Sequence, residues 1–206
     1  MTKGINSPDT TQTNAPSCIS PSVATTVATS MPQFRLPDAD STAHIVLTQA
    51  LAFCADKMGL ASGQDALARM QGELRTRTGD GCTRKYCHYS VAKQVAASLG
   101  ALDDHVKAAY VIEYDATPED LCFGQETPGL PIHLILWAER KTKALDALIA
   151  SLDHALTGRY AEMLGLHRLA HVLDVQVVDD ADVENRVGYG AMLSSLHQQP
   201  IQIWKR

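Results

Sequence analysis

Three acidic residues have the spacing and the strand setting of a metal-dependent catalytic site. Glu113 and Asp115 stand two positions apart at the end of a predicted strand over residues 106–114, so both side chains project from one face. Asp174 lies on another predicted strand and would supply a third oxygen ligand to a hard divalent cation. The alternative is structural: Asp115 begins the turn Asp-Ala-Thr-Pro, and the other two carboxylates face water.

Thiol and imidazole groups form a second candidate site, made of Cys82, Cys87, His88 and Cys122. Thiolate and imidazole are the ligands that zinc prefers, so a zinc site is one interpretation, with His133 as another possible ligand. The spacing differs from that of common zinc knuckles, which bring together two close pairs of ligands. The alternative is that Cys122, within Leu-Cys-Phe, is a small buried apolar residue and that Cys87 belongs to the approach to the third helix.

Basic residues surround the same cysteines. Arg84 and Lys85 precede a predicted helix that begins near Ser90, where they would favour an anionic cofactor or a phosphate at the helix start. The same charges would lower the pKa of the Cys87 thiol, which makes a redox-active thiol a further hypothesis. A solvated helix face is the structural alternative. The cofactor itself stays unknown from the sequence.

Composition limits the class of protein. The chain has 206 residues and a net charge of −5, with 18 basic against 23 acidic side chains, which argues against a nucleic-acid partner. No apolar run is long enough to span a bilayer, so no membrane partner is expected. Five cysteines and the lack of a secretory signal favour a cytoplasmic location. The partner is then an unidentified protein or small molecule, and the oligomeric state is unknown.

The elements that would position these groups follow from the hydrophobic periodicity. Residues 1–40 are rich in Ser, Thr and Pro and are predicted to be a disordered or loosely docked tail. Helices are expected from Ser41 to Gly59, from Ser62 to about residue 74, over 90–99, from Thr142 to about residue 156, and from Asp179 or Asp180 to residue 196. Residues 82–88 are expected in a loop.

Four strands complete the predicted domain, over residues 106–114, 132–138, 171–178 and 200–204. The second is apolar on both faces, so His133 within it should be buried and hydrogen-bonded to a neighbour. The fold class is therefore α+β: N-terminal helices followed by a small mixed sheet with helices packed on one side. A single domain over 41–206 is expected, helical over 41–100 and sheet-forming over 101–206.

From about residue 90 to 206 this order of elements resembles the minimal nucleotidyltransferases of the DNA polymerase β superfamily. The third-strand segment Leu-Asp-Val-Gln-Val-Val-Asp over 173–179 is similar to that family's strand with a catalytic Asp, and Pro-Ile-Gln-Ile-Trp over 200–204 to its last strand. The resemblance implies an Asp-x-Asp pair on the second strand, where two metal ions would be held. Pro131 and His133 stand at those two positions, and no Gly-Ser turn follows Tyr114.

The departures from the family pattern determine the expected function. We expect a non-catalytic nucleotidyltransferase-like protein that binds a nucleotide or a protein partner. One alternative is a metal-dependent nucleotidyltransferase that uses Glu113, Asp115 and Asp174. The other is a thiol-redox or zinc-binding protein centred on Cys82, Cys87 and His88.

Overall fold

The computed structural model describes residues 38–75, 82–112, 131–167, 169–195 and 199–206. Their helices and strands follow in the order α1 (Ala39–Met58), α2 (Gly63–Arg75), α3 (Cys82–Leu102), β1 (Val106–Val111), β2 (Ile132–Ala138), α4 (Lys143–Leu164), β3 (Leu173–Val178), α5 (Asp180–Asn185), α6 (Tyr189–Met192) and β4 (Ile201–Lys205). The predicted α+β class, with a small mixed sheet, is confirmed. The predicted tail lies outside the described residues as far as residue 37.

Helix α1 begins two residues before the predicted start. Asp38 is its N-cap, because the Asp38 carboxylate accepts from the backbone N–H of Asp40 at 3.3 Å and from the Ser41 hydroxyl at 2.8 Å. Gly59 ends the helix as predicted, with the left-handed φ of 65° that glycine adopts without strain.

Helix α3 corrects the prediction of a loop over residues 82–88. The helix begins at Cys82, and its buried face includes Thr83, Cys87 and Ser90 at helical spacing before the apolar Val91. This stripe packs against α1. Burial against a neighbouring helix stabilises a segment whose polar composition reads locally as a loop.

The sheet has the strand order β3-β2-β1-β4. Strand β1 pairs antiparallel with β2 and with β4, while β2 and β3 are parallel and are joined through α4. The predicted strand over 132–138 is confirmed, and it lies inside the sheet. Because a parallel pair needs a crossover connection, α4 must return along the sheet between these two strands.

One face of the sheet packs on the helical layer. Along β2 the side chains alternate, so Ile132, Leu134 and Leu136 join the same core as residues of α1, α3 and α4. The core includes the fully buried side chains Val46, Val95, Leu99, Leu145, Leu152, Leu156 and Tyr160. Helices α1 to α4 therefore share one core with a single face of the sheet, and on the other face Ala108, Ile135 and Val178 are buried as well.

Helix α4 agrees with the prediction at its start and fixes the position of β3. The Thr142 hydroxyl accepts from the backbone N–H of Leu145 at 3.1 Å and caps the helix. Farther along, the Asp153 carboxylate accepts from the backbone N–H groups of Val172 at 3.0 Å and Leu173 at 2.8 Å. These two bonds hold the beginning of β3 against α4.

The predicted helix from residue 179 or 180 to 196 is wrong in length. The structure has two short helices, α5 and α6, separated by Arg186 at φ 54° and Gly188 at φ 51°. Two left-handed residues interrupt the hydrogen-bond ladder, so one continuous helix cannot form. Gly190 also packs against the α5 backbone, where a Cβ would lie 2.6 Å from the carbonyl carbon of Asp182.

Within the described ranges, no single helix combines the length and apolarity of a membrane span. Taken together, α1 and the segment Gly63–Glu73 are long and apolar enough, and they bend by 85° at the break between them.

Candidate functional site

The candidate site is the face of the sheet that α1 to α4 leave uncovered, here called the outer face. Strand register places its side chains: Tyr110 pairs with Ile135, His133 with Asp174, and Ile135 with Gln176. Residues paired across strands point to the same side. The outer face carries the half-buried Tyr110, His133, Trp137, Asp174 and Gln176, with the buried Ile135 between them.

A histidine–carboxylate pair lies at one end of the outer face. The Nδ1 atom of His133 is 2.8 Å from Oδ2 of Asp174, and Gln176 Nε2 donates to Oδ1 of Asp174 at 2.9 Å. Because a carboxylate only accepts, Nδ1 of the imidazole carries the proton of this bond. The side chains of His133 and Asp174 are 34% and 38% exposed, so solvent and ligands reach the pair.

His133 therefore fulfils part of the sequence prediction and corrects the rest. It lies on an inner strand and has the hydrogen-bonding neighbour that was expected. It is the second residue of β2 rather than a central one, and it is half-buried because its side chain points away from the helical layer. An apolar run on both faces of a strand does not show which face the helices cover.

A charged group at the other end of the outer face surrounds Trp137. Asp180, the first residue of α5, accepts from the indole N–H of Trp137 at 2.8 Å and from Lys107 Nζ at 2.8 and 2.6 Å. The ammonium of Lys107 also lies 5.6 Å from the centre of the Trp137 ring system. The hydrogen bond from Lys107, followed by that from Trp137, lowers the pKa of Asp180.

A second ion pair extends this group along the ends of the parallel strands. Lys141 Nζ is 2.5 Å from Oδ2 of Asp182, which lowers the pKa of the carboxyl and raises that of the ammonium. Asp182 also accepts from the backbone N–H of Asp179, whose own carboxylate accepts from the Asp182 N–H at 2.9 Å. Asp179 is thus the N-cap of α5, within a reciprocal capping box. The sequence predicted either Asp179 or Asp180 at this position. We call Lys107, Trp137, Lys141, Asp180 and Asp182 the edge cluster.

Tyr110 lies between the two ends. It stands diagonally across from both His133 and Trp137, about 7–8 Å from each by ordinary sheet geometry. Burial raises the pKa of its phenol. The row from His133 to Trp137 spans about 13 Å at 3.3 Å per residue. Ile135, between them, is buried, so a ligand would reach the imidazole and amide at one end or the indole at the other.

The electrostatics of this surface disfavour a strongly anionic ligand. Both lysines of the edge cluster are already paired with carboxylates, and Asp174 adds a further acidic group. Both oxygens of Asp174 accept hydrogen bonds from protein groups, so a cation would have to displace His133 or Gln176 to reach them. The arrangement is suited to hydrogen bonding and stacking.

The predicted acidic site is described only in part. Asp174 lies on the outer face, but Glu113 and Asp115 lie outside the described residues. Their convergence with Asp174 stays a prediction. Among the residues that the structure does describe, no group of three His, Cys, Asp or Glu side chains could hold a metal ion.

The basic candidates are on the other side of the sheet. Arg84 and Lys85 belong to the first turn of α3, a helix that packs on the covered face. Lys85 is exposed. The structure therefore does not bring this turn to the outer face, and an anion at the start of α3 stays a separate prediction.

The structure describes some of the cysteine and histidine candidates and not others. Cys122 and the side chain of Cys82 lie outside what is described, and His88 is a half-buried residue of α3. Cys87 is buried, and its Sγ lies 3.1 Å from Sγ of Cys54 on α1. Burial raises the pKa of the Cys87 thiol, and the neighbouring Cys54 adds to the effect. The expected lowering of this pKa is wrong because the thiol faces the core rather than the basic residues beside it in sequence.

Sequence reasoning missed most partners of these groups. It identified His133 and Asp174 separately, because the sequence does not show which residues of two strands lie side by side. Lys107 and Trp137 carry no motif. The signal available for the edge cluster was the rule that the carboxyl ends of parallel strands meet at one edge.

A broad groove lies away from the outer face, between the beginning of α1 and α4, and its lining includes Asp38, Asp40, Ser151, His154, Arg159 and Glu162. Arg159 forms a bidentate ion pair with Asp40 across it, which lowers the pKa of that carboxyl. The two charges neutralise each other, so the groove offers less chemistry than the outer face.

Comparison of the chain with protein-family models, with curated proteins and with solved structures gives no match.

Proposed function

We propose that this chain is a non-catalytic nucleotidyltransferase-like protein that binds a nucleotide on the outer face. The observation that carries the proposal is the cross-strand contact between His133 and Asp174. In the resemblance, position 133 takes the place of a metal-binding carboxylate, and Asp174 takes the place of the third-strand carboxylate. The two positions are neighbours here, and this supports the proposal.

The chemistry of the pair supports binding without transfer. A carboxylate at position 133 could bridge hard cations, whereas an imidazole with a protonated Nδ1 offers at most one nitrogen. Asp174 is held by His133 and Gln176 through both of its oxygens. Metal-dependent transfer needs oxygen ligands that clamp the attacking and leaving groups, and this arrangement replaces one such ligand and occupies another.

The same surface suggests how a nucleotide would be recognised. The rings of Tyr110 and Trp137 offer stacking surfaces for a base, and the amide of Gln176 offers a hydrogen-bonding group for a base edge or sugar hydroxyl. The paired lysines of the edge cluster leave little positive charge for phosphates. The affinity should therefore not rise with the number of phosphates, and it should change little with added magnesium.

Calorimetry of the purified chain with nucleoside mono- and triphosphates, in EDTA and in magnesium, tests this proposal. We expect saturable binding that is similar in both buffers, no labelled product, and a loss of binding in His133→Ala and Asp174→Ala. His105→Ala is the matched control, because His105 forms another histidine–carboxylate pair, with Glu139 at 3.0 Å, outside the outer face. It should bind like the parent protein.

Other outcomes would support other functions. Magnesium-dependent turnover that Glu113→Ala, Asp115→Ala or Asp174→Ala abolishes would favour the transferase alternative. No binding of any nucleotide would contradict the proposal and leave a protein partner as the ligand class to test at this surface.

A further inference from the structure

Three sulfur atoms meet at the C-terminal end of α1, on the side of the molecule away from the outer face. Cys54 Sγ lies 3.1 Å from Cys87 Sγ and 3.5 Å from Met58 Sδ. Cys54 and Met58 are four residues apart on α1, so they share one face of that helix, and Cys87 approaches from α3. The sequence separates these groups, and helix packing brings them together.

The surroundings of this cluster are mostly apolar, although the charge of Glu73 also acts on Cys87. Cys54 is 1% exposed and Cys87 3% exposed. Two further thioether side chains, those of Met70 and Met163, line a small cavity together with Cys87. Sulfur is a polarisable donor that prefers soft cations, and an apolar shell keeps competing water away from such a site.

We propose that Cys54, Cys87 and Met58 form a binding site for a soft monovalent metal ion of the copper(I) type. Thiolate and thioether ligands together select copper(I), whereas structural zinc sites take four nitrogen or thiolate sulfur ligands in a tetrahedron. This three-sulfur site shares Cys87 with the zinc site predicted from the sequence, but it uses Cys54 and Met58 in place of Cys82, His88 and Cys122.

The charge balance of the site favours a monovalent ion over a divalent one. Each thiol that becomes a ligand releases one proton to solvent, and no electron is transferred. One thiolate neutralises copper(I) completely, so the core gains no net charge with the first proton released. Burial of an uncompensated charge is costly, and a site with one thioether and two thiols keeps this cost small for a single positive charge.

Met58 provides the route by which the ion enters. It is only half-buried and precedes the exposed Gly59 at the end of α1, while the two cysteines lie deeper. A methionine that binds the ion first and passes it to the thiols requires only side-chain rotation.

An anaerobic titration of the full chain with copper(I), in competition with a chromophoric copper(I) chelator, tests the site. The matched parent is the variant with Cys18→Ala, Cys82→Ala and Cys122→Ala, which keeps only Cys54 and Cys87. We expect it to bind one copper(I) per chain. Cys54→Ala or Cys87→Ala in that parent should weaken binding by about a hundredfold or more, since even the outer partners of metal ligands contribute about 10- to 100-fold. Met58→Leu should have a smaller effect.

A measurement on the unmodified chain keeps the test independent of whether the variants fold. X-ray absorption at the copper edge should show a first shell of sulfur only. A first shell containing nitrogen or oxygen, or binding that follows Cys18, Cys82 and Cys122 instead, would overturn the proposal. Failure of the matched parent to compete with the chelator would overturn it as well.

Discussion

Gly100 on α3 has no room for a side chain because the ring of Trp204 on β4 occupies the space. A Cβ at this position would lie 2.9 Å from Cε2 of Trp204, and closer still to Cζ2 and Cη2. The indole is rigid and is held on a strand, so it cannot fold away as a flexible side chain could. The contact joins α3 to the edge strand of the sheet, and Gly100→Ala tests whether that packing is real.

Two opposing terms set the magnitude of the effect. Alanine in place of glycine within a helix stabilises by about 1 kcal/mol. Overpacking of a well-filled contact costs about 1–3 kcal/mol, and the upper part of that range applies when a whole ring edge must move. We therefore expect Gly100→Ala to lower the free energy of unfolding by about 1–2 kcal/mol. The guanidinium of Arg206 donates to the carbonyl oxygen of Gly100, and ring displacement would strain this bond too.

Urea unfolding, followed by tryptophan fluorescence and circular dichroism, measures this change. The matched control is Gly158→Ala on α4, where a Cβ would meet nothing within 4 Å. That variant should be more stable by up to about 1 kcal/mol. Trp204→Leu removes the ring that occupies the space beside Gly100. In that background, Gly100→Ala should lower the free energy of unfolding by less than it does in the parent protein. If Gly100→Ala is as stable as the parent protein, the assigned packing of β4 on α3 is wrong.

Three further predictions concern the outer face and its edge. A double-mutant cycle of His133→Ala and Asp174→Asn should give a coupling of about 0.5–1 kcal/mol, small because solvent reaches both groups, and an absent coupling would contradict the pairing. Lys107 and Lys141 lower the pKa values of Asp180 and Asp182, so the ionised carboxylates stabilise the fold above the ordinary Asp pKa. In urea titrations the free energy of unfolding should decrease below about pH 4. This decrease should be smaller in Asp182→Asn, which lacks one of the two carboxylates. Asp179→Ala should lower the free energy of unfolding by about 1 kcal/mol because it removes the N-cap of α5, and amide exchange in α5 should become faster. Thr142→Ala, which removes the N-cap of α4, provides the comparison.

The sequence was sufficient for elements whose ends carry their own signals. Thr142 and Gly59 are a cap and a stop that act locally, and both hold in the structure. The run from Ile132 to Ala138 is so apolar that an inner strand is its natural place. These features depend on near neighbours in the chain, which is why they can be predicted from it.

Other features depend on contacts between distant parts of the chain. The beginning of α3 is polar in sequence and is helical because Thr83 and Cys87 are buried in the fold. The pairing of Cys54 with Cys87, and of Lys107 with Asp180, joins residues far apart in sequence without any motif. Strand order and helix packing determine these contacts, and neither follows from local periodicity.

The most direct test of the proposed function is to observe the imidazole of His133 by nuclear magnetic resonance while a nucleoside monophosphate is added in EDTA. We expect a saturable shift of the His133 side-chain nitrogens that is absent in Asp174→Asn. The imidazole of His105, which pairs with Glu139, should not respond. A His133 signal that stays unchanged at saturating nucleotide, or that shifts only when magnesium is present and product forms, would contradict non-catalytic nucleotide binding on the outer face.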